Sequence, residues 1–574
     1  MLSSPHALSP RTINSIFFSR LLLAALVASY ALVAPATAQI RIVEPTSTIS
    51  AATTSPARNS PATTLPNTTS PATVQTALER GVALEREDKW AEALGHYEEA
   101  LKAAPGDRQL SERADVAKIH YSLIRRYADN SFRNSIKTLS AREALDLYSE
   151  ILLKIQTHFV HDADWQALVR RGTQTLEIAL RDRTFTDHNL AAIPAERWEA
   201  ALLRTRSVVD RQPIYSRTDA VAVVAQAAQI MHQNLGISPS AVIMEYLSGA
   251  TGGLDSYSTY LTGDQLREVY SQIDGSFVGL GIEMKAENGS LLIVSVISGS
   301  PAEASGLVAG DRIVSVDGQA TQDITTEKAA ALLQGTSGSV AELIVASTNG
   351  GTRILRVRRA NVEVRSIQNA KLIDPAEGIA YLRIDSFQRD TNRDLDATLW
   401  KLYRAGMKSL VIDVRGNPGG LLSSAVDVAD KFVYQGRIVS TRGRNHEEDF
   451  DYSARPANTW GVPLVVLIDN DSASASEIFA AAIRDHRRGT IVGTRTYGKG
   501  SVQGIFPLGY ADAGLRLTTA KFYSPQGQAI SGAGVSPDLQ VHEVAKRAPG
   551  AVPANEDRVL QAGVQAARTQ MTRR

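Results

Sequence analysis

The chain has 574 residues, more than one ordinary hydrophobic core accommodates, so we expect roughly two to four domains. Its composition, 43% hydrophobic and 21% charged, is typical of soluble globular proteins, and the formal net charge of +1 gives no reason to expect nucleic acid as a partner. The chain has no cysteine, which excludes disulfides, thiolate metal sites and a cysteine nucleophile.

Residues 1–38 have the pattern of a secretory signal peptide. Arg11 and Arg20 come before or at the start of an apolar stretch, and the small residues around Ala38 form a cleavage site, so we expect cleavage before about Gln39. The alternative is an uncleaved membrane anchor, but the apolar run of residues 21–34 is shorter than the about 20 residues that span a bilayer. The pattern predicts an exported protein, periplasmic or associated with the cell envelope.

Residues 39–75 are rich in Ser, Thr, Pro and Ala and are predicted to form a linker, because this composition buries too little apolar surface to order the chain. Residues 76–107 carry small and aromatic residues at helical spacing and resemble one tetratricopeptide repeat. A plain helical hairpin explains this pattern equally well. If it is a tetratricopeptide repeat, this helical region could bind an adaptor protein. Residues 108–265 are predicted to be a helical region, since apolar residues recur there three and four apart.

Residues 266–362 contain short strand-like runs, such as LLIVSVI and DRIVSVDG, separated by glycine turns. Together with Gly279, Leu280, Gly281 and Ile282 they resemble a PDZ domain. In that fold a glycine-rich turn offers N–H groups to the terminal carboxylate of a peptide, which is added as a strand. The alternative is that these glycines only form a tight turn.

Strand and helix patterns alternate over residues 363–545 and predict an α/β domain, followed by a charged C-terminal tail at 546–574. Ligands of such sheets bind where strands end and helices begin. The segment DVRGNPGG (413–420) occupies that position. Gly419 and Gly420 allow N–H groups to face outward and stabilise an anion, although a turn that enters a helix is an equal alternative.

The segment DSASASEI (471–478) also follows a strand and contains three serines. Ser474 and Glu477 have the spacing of a capping box, so helix capping alone could account for both. Lys499 lies between two glycines, and burial would lower its pKa enough for a general base, whereas a lone lysine is usually a surface charge. His486 is too far along the helix from Ser474 to act as its base.

The chain resembles the PDZ-containing carboxyl-terminal processing proteases, which are serine endopeptidases that use a Ser-Lys pair. The resemblance spans about residues 140–540 and rests on several long motifs that occur in the same order. The motifs are GLDSYSTYL, the PDZ segment, IDVRGNPGGLL, DSASASEI, GTRTYGKGSVQ and LTTAKFYSPQGQAISGAGVSPD. The resemblance implies a multidomain fold with an N-terminal all-α (tetratricopeptide-like) region, a β-rich PDZ domain and an α/β protease core with a mixed sheet.

The resemblance also implies a role for individual residues. They are the nucleophile Ser474, the general base Lys499, the lysine-orienting Gln503, the oxyanion-hole N–H groups of Gly420 and Ala475, the supporting residues Glu477 and Thr496, and the peptide-binding residues Gly279, Leu280, Gly281 and Ile282 of the PDZ domain. No metal or cofactor is implied. Because a hydroxyl that caps its own helix is not aimed at a substrate, we expect Ser474 Oγ to point toward Lys499 and other groups to cap the helix.

The function implied is that of an exported endopeptidase that recognises substrate C-termini through its PDZ domain. Its partners would be proteins or peptides with accessible C-termini, with self-association left open. The alternative from another class is a non-catalytic peptide-binding scaffold of PDZ and tetratricopeptide-like modules. The presence of Ser474, Lys499 and Gln503 together argues against that alternative.

Overall fold

The computed structural model describes residues 71–190, 195–287, 290–322, 332–333, 335–347, 349–457, 459–542 and 556–573. The predicted signal peptide and most of the predicted linker lie outside these residues. The last five residues of the predicted linker belong instead to the first described helix, which begins at Pro71, where the fixed φ of proline suits a helix start. None of the described helices has both the length and the apolar character needed to cross a membrane.

The first part of the described chain is helical, as predicted. Its helices are α1 Pro71–Arg86, α2 Trp90–Ala103, α3 Arg108–Ala128, α4 Asn130–Thr138, α5 Ala141–His158, α6 Trp165–Ala179, α7 Arg183–Asn189, α8 Ala195–Arg211, α9 Arg217–Leu235, α10 Pro239–Gly252 and α11 Gly263–Asp274. Asp and Ser side chains cap several helix starts. For example, the Asp107 carboxylate accepts the N–H of Leu110 at 2.9 Å.

Helices α1 and α2 form the predicted hairpin. Tyr97 of α2 is fully buried, and a Cβ atom on Gly81 of α1 would lie 2.1 Å from its ring. Glycine at this position therefore lets the two helices approach. Helix α3 packs against α2 through Leu110 and Ala114. The hairpin is confirmed, while its assignment as a tetratricopeptide repeat stays a prediction.

The strands are β1 Thr259–Leu261, β2 Ser276–Gly279, β3 Ile282–Glu287, β4 Ser290–Val296, β5 Arg312–Val316, β6 Gln319–Ala320, β7 Val340–Ala346, β8 Thr352–Arg358, β9 Ala360–Glu363, β10 Ile367–Asp374, β11 Ile379–Ile384, β12 Ser409–Asp413, β13 Gly436–Gly443, β14 Phe450–Ala454, β15 Leu464–Ile468, β16 Thr490–Gly493, β17 Ser501–Pro507, β18 Gly514–Tyr523 and β19 Leu539–Gln540. The remaining helices are α12 Pro301–Ala304, α13 Thr391–Arg404, α14 Leu422–Asp430, α15 Ala475–Asp485 and α16 Arg558–Thr572, with a 3₁₀ turn at His446–Glu448.

The β-rich PDZ domain contains an antiparallel sheet in the order β3-β4-β5-β7-β8, with β6 paired to β5. Strands β2 and β9 pair with each other where the chain enters and leaves the domain. Strand β3 lies at the edge of its sheet among the described strands. Between β6 and β7 the structure describes residues 321–322, 332–333 and 335–339.

The core sheet has the order β10-β11-β12-β15-β16-β19, with β10 antiparallel to β11 and the other pairs parallel. It is therefore the mixed sheet that was predicted. Strands β11, β12 and β15 are buried along their whole length, which explains their unbroken apolar sequences. Helices α13, α14 and α15 cover one face. A second sheet, β1-β18-β13-β14 with β17 on β18, lies beside this layer.

The C-terminal segment differs from the predicted charged tail. Helix α16 packs on the second face of the core sheet, where Val559, Leu560 and Ala567 contact strand residues such as Val465. Asp557, just before the helix, pairs with the buried Arg415 at 2.8 Å. The many charges of this segment obscured its short apolar stripe, which only becomes a core contact when the sheet face is present.

Candidate active site

The carboxyl ends of the parallel strands β12, β15 and β16 bring three loops to one edge of the core sheet. The first loop follows β12 and contains Gly420, whose φ of 140° favours glycine. A Cβ atom there would lie 2.1 Å from the carbonyl oxygen of Phe387. The backbone of Phe387 holds the two residues that flank Gly420. Its N–H donates to the carbonyl of Gly419, and its carbonyl accepts the N–H of Leu421, each at 2.7 Å.

Asn417 ties this loop to the serine-rich loop after β15. Its carbonyl oxygen accepts the N–H of Ala473 and the hydroxyl of Ser476, each at 3.0 Å. Its side-chain oxygen accepts the N–H of Gly419 at 2.8 Å. The Gly420 segment and the serine segment are therefore adjacent.

The three serines of this loop have different surroundings. Ser472 Oγ donates to the carbonyl of Val414 at 2.8 Å, and Ser476 Oγ donates to Asn417. Ser474 Oγ is buried and has no hydrogen-bond partner within the described part of the chain. Ser472 and Ser476 therefore stabilise the loops through hydrogen bonds, whereas the hydroxyl of Ser474 makes none with the described residues.

Ser474 also has an unusual backbone, with φ 55° and ψ −113° immediately before helix α15. A residue with a side chain adopts this conformation only at a cost, and such strain is concentrated at functional sites. The helix start is capped in part by Glu477, whose carboxylate accepts the N–H of Ser474 at 2.8 Å. Glu477 thus supplies its half of a capping box at this helix start. The expected direction of Ser474 Oγ toward Lys499 and the capping of the helix by groups other than Ser474 stay predictions.

Glu477 links the serine loop to the third loop, which follows β16. The oxygen that accepts Ser474 N also accepts the N–H of Lys499 at 2.8 Å. The two backbone nitrogens therefore cannot be farther apart than twice this distance. The other oxygen accepts the hydroxyl of Thr496 and the N–H of Gly498, each at 2.6 Å. One buried carboxylate thus holds four donors from both loops.

Lys499 is almost fully buried, with 2% of its surface exposed. Burial, followed by the nearby charge of Arg516, lowers the pKa of its amino group to about 7, although Asp255 and Glu477 act in the opposite direction. Its Nζ atom lies 4.5 Å from the centre of the Tyr257 ring. An amino group with this pKa is partly neutral near neutral pH and can accept a proton.

Gln503 is fully buried on β17. Its amide nitrogen donates to Ser501 Oγ at 3.1 Å and to Thr518 Oγ1 at 2.9 Å. These contacts fix the amide in place. Its predicted role in orienting Lys499 stays a prediction.

Comparison with known proteins identifies the protein family of this chain. The protein-family model described as "Peptidase family S41" matches residues 378–541, and the model described as "PDZ domain" matches residues 292–347. The chain is 38% identical over 309 residues to a carboxy-terminal-processing protease of Bartonella bacilliformis, which covers 53% of this chain and 70% of that protein. The chain belongs to peptidase family S41.

Two further relatives are similar to this S41 peptidase. A carboxyl-terminal-processing protease of Picosynechococcus sp. is 35% identical over 287 residues, which cover 50% of this chain and 69% of that protein. Among solved structures, a photosystem II D1 C-terminal processing protease is 25% identical, with 70% of this chain and 98% of that chain covered and a TM-score of 0.36. The matches to the S41 and PDZ families and to the carboxy-terminal-processing proteases show that the chain is a serine peptidase with a PDZ domain.

Three residues near Lys499 had no assigned role in the sequence: Asp255, Tyr257 and Arg516. Asp255 and Tyr257 lie in the motif GLDSYSTYL. Arg516 lies on β18, immediately before the motif that begins LTTAKFYSP. The available signal was the motif GLDSYSTYL, which is one of the motifs on which the family resemblance rests. Nothing in their local spacing indicated that they meet at the lysine.

The predicted peptide-binding residues of the PDZ domain lie apart from these loops, at the start of edge strand β3. Gly281 has φ 84°, and a Cβ atom there would lie 2.2 Å from Ser300 Cβ. The described hydrogen bonds of Leu280 and Gly281 engage their carbonyl groups, with Ala302 N at 2.8 Å and Ile297 N at 2.9 Å. This turn is compatible with N–H groups that face a bound carboxylate, a role that stays a prediction.

Proposed function

We propose that this S41 peptidase is an exported endopeptidase that captures substrate C-termini in its PDZ domain and cleaves peptide bonds with Ser474 and Lys499. The observation that carries the proposal is the shared Glu477 carboxylate, which holds the backbones of Ser474 and Lys499 together while the hydroxyl of Ser474 remains without a described partner. A nucleophile and a base on adjacent backbone segments are the components that acyl-transfer enzymes combine.

In the proposed mechanism neutral Lys499 accepts the proton of Ser474 as Oγ attacks the substrate carbonyl carbon. The negative charge that develops on the carbonyl oxygen is stabilised by the N–H groups of Gly420 and Ala475. Neither N–H has a hydrogen-bond acceptor among the described residues, so both are available. Lys499 then protonates the leaving amine, and water hydrolyses the acyl-enzyme.

Substrate entry is restricted, because both proposed catalytic residues are buried. Ser474 and Lys499 are buried, with 0% and 2% of their surfaces exposed. A peptide bond therefore reaches Ser474 only after the groups that cover it move. Full burial also explains why Lys499 can lose its proton near neutral pH.

The first experiment measures degradation of an unfolded protein with an apolar C-terminus. We expect Ser474→Ala and Lys499→Ala each to abolish turnover, whereas Lys521→Ala, which removes an exposed lysine from β18, retains it. Full turnover by Lys499→Ala would show that the Ser-Lys pair is wrong. The same substrate with an amidated C-terminus tests capture by the PDZ domain, since amidation removes the carboxylate.

The pH dependence provides a second test of the base. Because only the neutral amine accepts a proton, kcat/KM should rise with pH through the lowered pKa of Lys499, which is about 7. A flat profile between about pH 5 and 9 would count against a lysine base.

Export rests on the sequence of the first 38 residues, which lie outside the described part of the chain. Cell fractionation followed by N-terminal sequencing tests it. We expect the protein in the envelope or periplasmic fraction with a mature N-terminus near Gln39. Recovery of the full-length chain in the cytoplasm would contradict export.

A further inference from the structure

Tyr257 lies on a turn that holds its backbone on both sides. The Asp255 carboxylate accepts the N–H groups of Tyr257 and Ser258 at 2.8 and 2.6 Å. Arg516 Nε donates to the carbonyl of Tyr257 at 3.0 Å. Because both its N–H and its carbonyl group are engaged, the backbone that carries the Tyr257 side chain is held in place, and its hydroxyl also interacts with Tyr497.

The same turn is attached to the strand beside Gln503. Ser258 Oγ accepts the N–H of Thr518 at 3.1 Å, and Thr259 is the register partner of Arg516 between β1 and β18. Thr518 in turn accepts a hydrogen bond from the Gln503 amide. The turn and the surroundings of Lys499 are therefore parts of one hydrogen-bonded unit.

A cleft of about 310 Å³ lies next to this unit, between the N-terminal helices and the turn. Arg125, Thr175, Ser248, Arg516 and Tyr257 are among the residues that line it. A cleft of this size whose lining includes arginine and hydroxyl side chains has room and partners for water. Tyr257 therefore borders the cleft and also covers the amino group of Lys499.

We propose that Tyr257 is a positioning residue whose ring shields the Lys499 amino group from water of the adjoining cleft. The proposal rests on the proposed function, in which Lys499 is the base. The shield would keep the amine dehydrated and hence neutral at the pH at which the peptidase works.

The ring has two opposing effects on Lys499. Its face attracts an ammonium group, which favours the protonated form. Its bulk excludes water, which favours the neutral form. Burial is the largest cause of the lowered pKa of Lys499, ahead of the charge of Arg516, while the Asp255 and Glu477 carboxylates raise this pKa. Loss of the ring should therefore raise the pKa.

The experiment compares kcat/KM against pH for the wild type, Tyr257→Leu and Tyr257→Phe. We expect the rising limb of Tyr257→Leu to move to higher pH by about one unit, so that kcat/KM falls about tenfold at about pH 6 and less at about pH 9. Tyr257→Phe keeps the ring and should keep the position of the limb. If Tyr257→Leu does not fold, as judged by its melting curve, Tyr257→Met replaces it.

Tyr260→Leu is the matched control, because it removes a ring of the same size from the adjacent strand, where Tyr260 packs into the helical core. It should lower the melting temperature without moving the limb. An independent readout is the pH dependence of Lys499 acetylation by trace acetic anhydride, measured by mass spectrometry in the Ser474→Ala background. This acetylation profile should shift upward in Tyr257→Leu.

Failure of the inference is distinguishable from failure of the base. A wild-type limb near pH 7 that stays in place in the ring-less variant overturns the role of Tyr257 and leaves the base intact. A wild type without any limb in this range overturns the base and, with it, this inference.

Discussion

The Ser474 loop and the Gly281 turn of the PDZ domain both contain a residue with positive φ, but the residue type differs. Both are proposed to present backbone N–H groups to a negatively charged oxygen. In the PDZ domain a glycine adopts the positive φ, so the turn forms without the strain that a side chain would add. In the protease core a serine adopts it, and the proposed reaction needs a side chain at that position.

The two sites also differ in how they are held. Ser474 and Lys499 are buried and share a carboxylate with donors from two loops, whereas the PDZ turn lies on an edge strand and is held by a few backbone contacts. A catalytic site must fix reacting groups within a fraction of an ångström, whereas peptide capture tolerates adjustment. In the proposed function, rigidity is therefore concentrated where bonds are broken.

Apart from the substitutions of Ser474 and Lys499 themselves, the largest effect is expected from Gly420→Ala. The added Cβ would meet the carbonyl oxygen of Phe387 at 2.1 Å, so the loop must shift and carry the Gly420 N–H away from the oxyanion. We expect kcat to fall by roughly 10²–10³-fold for every substrate. Gly406→Ala is the control, because φ is 100° there but no atom lies within 4 Å of the added Cβ. A normal kcat in folded Gly420→Ala would remove Gly420 from the oxyanion hole.

Lys499→Met tests whether the buried amine destabilises the fold. The pKa of Lys499 is lowered to about 7, so between that pH and its ordinary pKa the unfolded chain binds more protons than the folded chain. The stability of the wild type must then rise with pH across this window, and the full cost is present below it.

We therefore expect Lys499→Met to be more stable than the wild type near neutral pH by on the order of 1–4 kcal/mol, with the difference vanishing near about pH 10. Urea unfolding at several pH values measures it. A stability difference that does not change with pH would show that the pKa of Lys499 is not lowered in the folded protein.

Gly281→Ala gives the corresponding test of the PDZ turn. Because the added Cβ would clash with Ser300, we expect a distorted turn and a KM about tenfold higher for substrates with a free C-terminus. The kcat, and the KM for the amidated substrate, should not change. Gly306→Ala is the control, since its φ of 76° is similar but its surroundings are open. Equal effects on free and amidated substrates would argue against carboxylate capture.

The smallest effect is expected from Ser476→Ala. It removes the hydrogen bond from Ser476 Oγ to Asn417 O, which should lower the free energy of unfolding by about 1 kcal/mol and leave most of the activity. Melting curves and kcat/KM measure both consequences. Loss of activity as complete as that of Ser474→Ala would mean that the wrong serine was assigned as the nucleophile.

The sequence by itself determined the order of the elements and the candidates for chemistry. The alternation of strands and helices after residue 378 predicts the core sheet correctly, because unbroken apolar runs and amphipathic helices are local patterns. The motifs identify the S41 family and single out Ser474 among three serines. Helix α16 was missed, because its few apolar residues acquire meaning only against the exposed face of the sheet.

The assembly of the candidate site depends on contacts that only the folded chain makes. The Glu477 carboxylate joins the loops after β15 and β16, and Tyr257 covers Lys499 from a segment that is far away in the chain. The pKa of a lysine depends on the water and the charges that surround it, and these come from segments that meet only when the chain folds. Residue order therefore supplies the reactive groups, and packing gives them their reactivity.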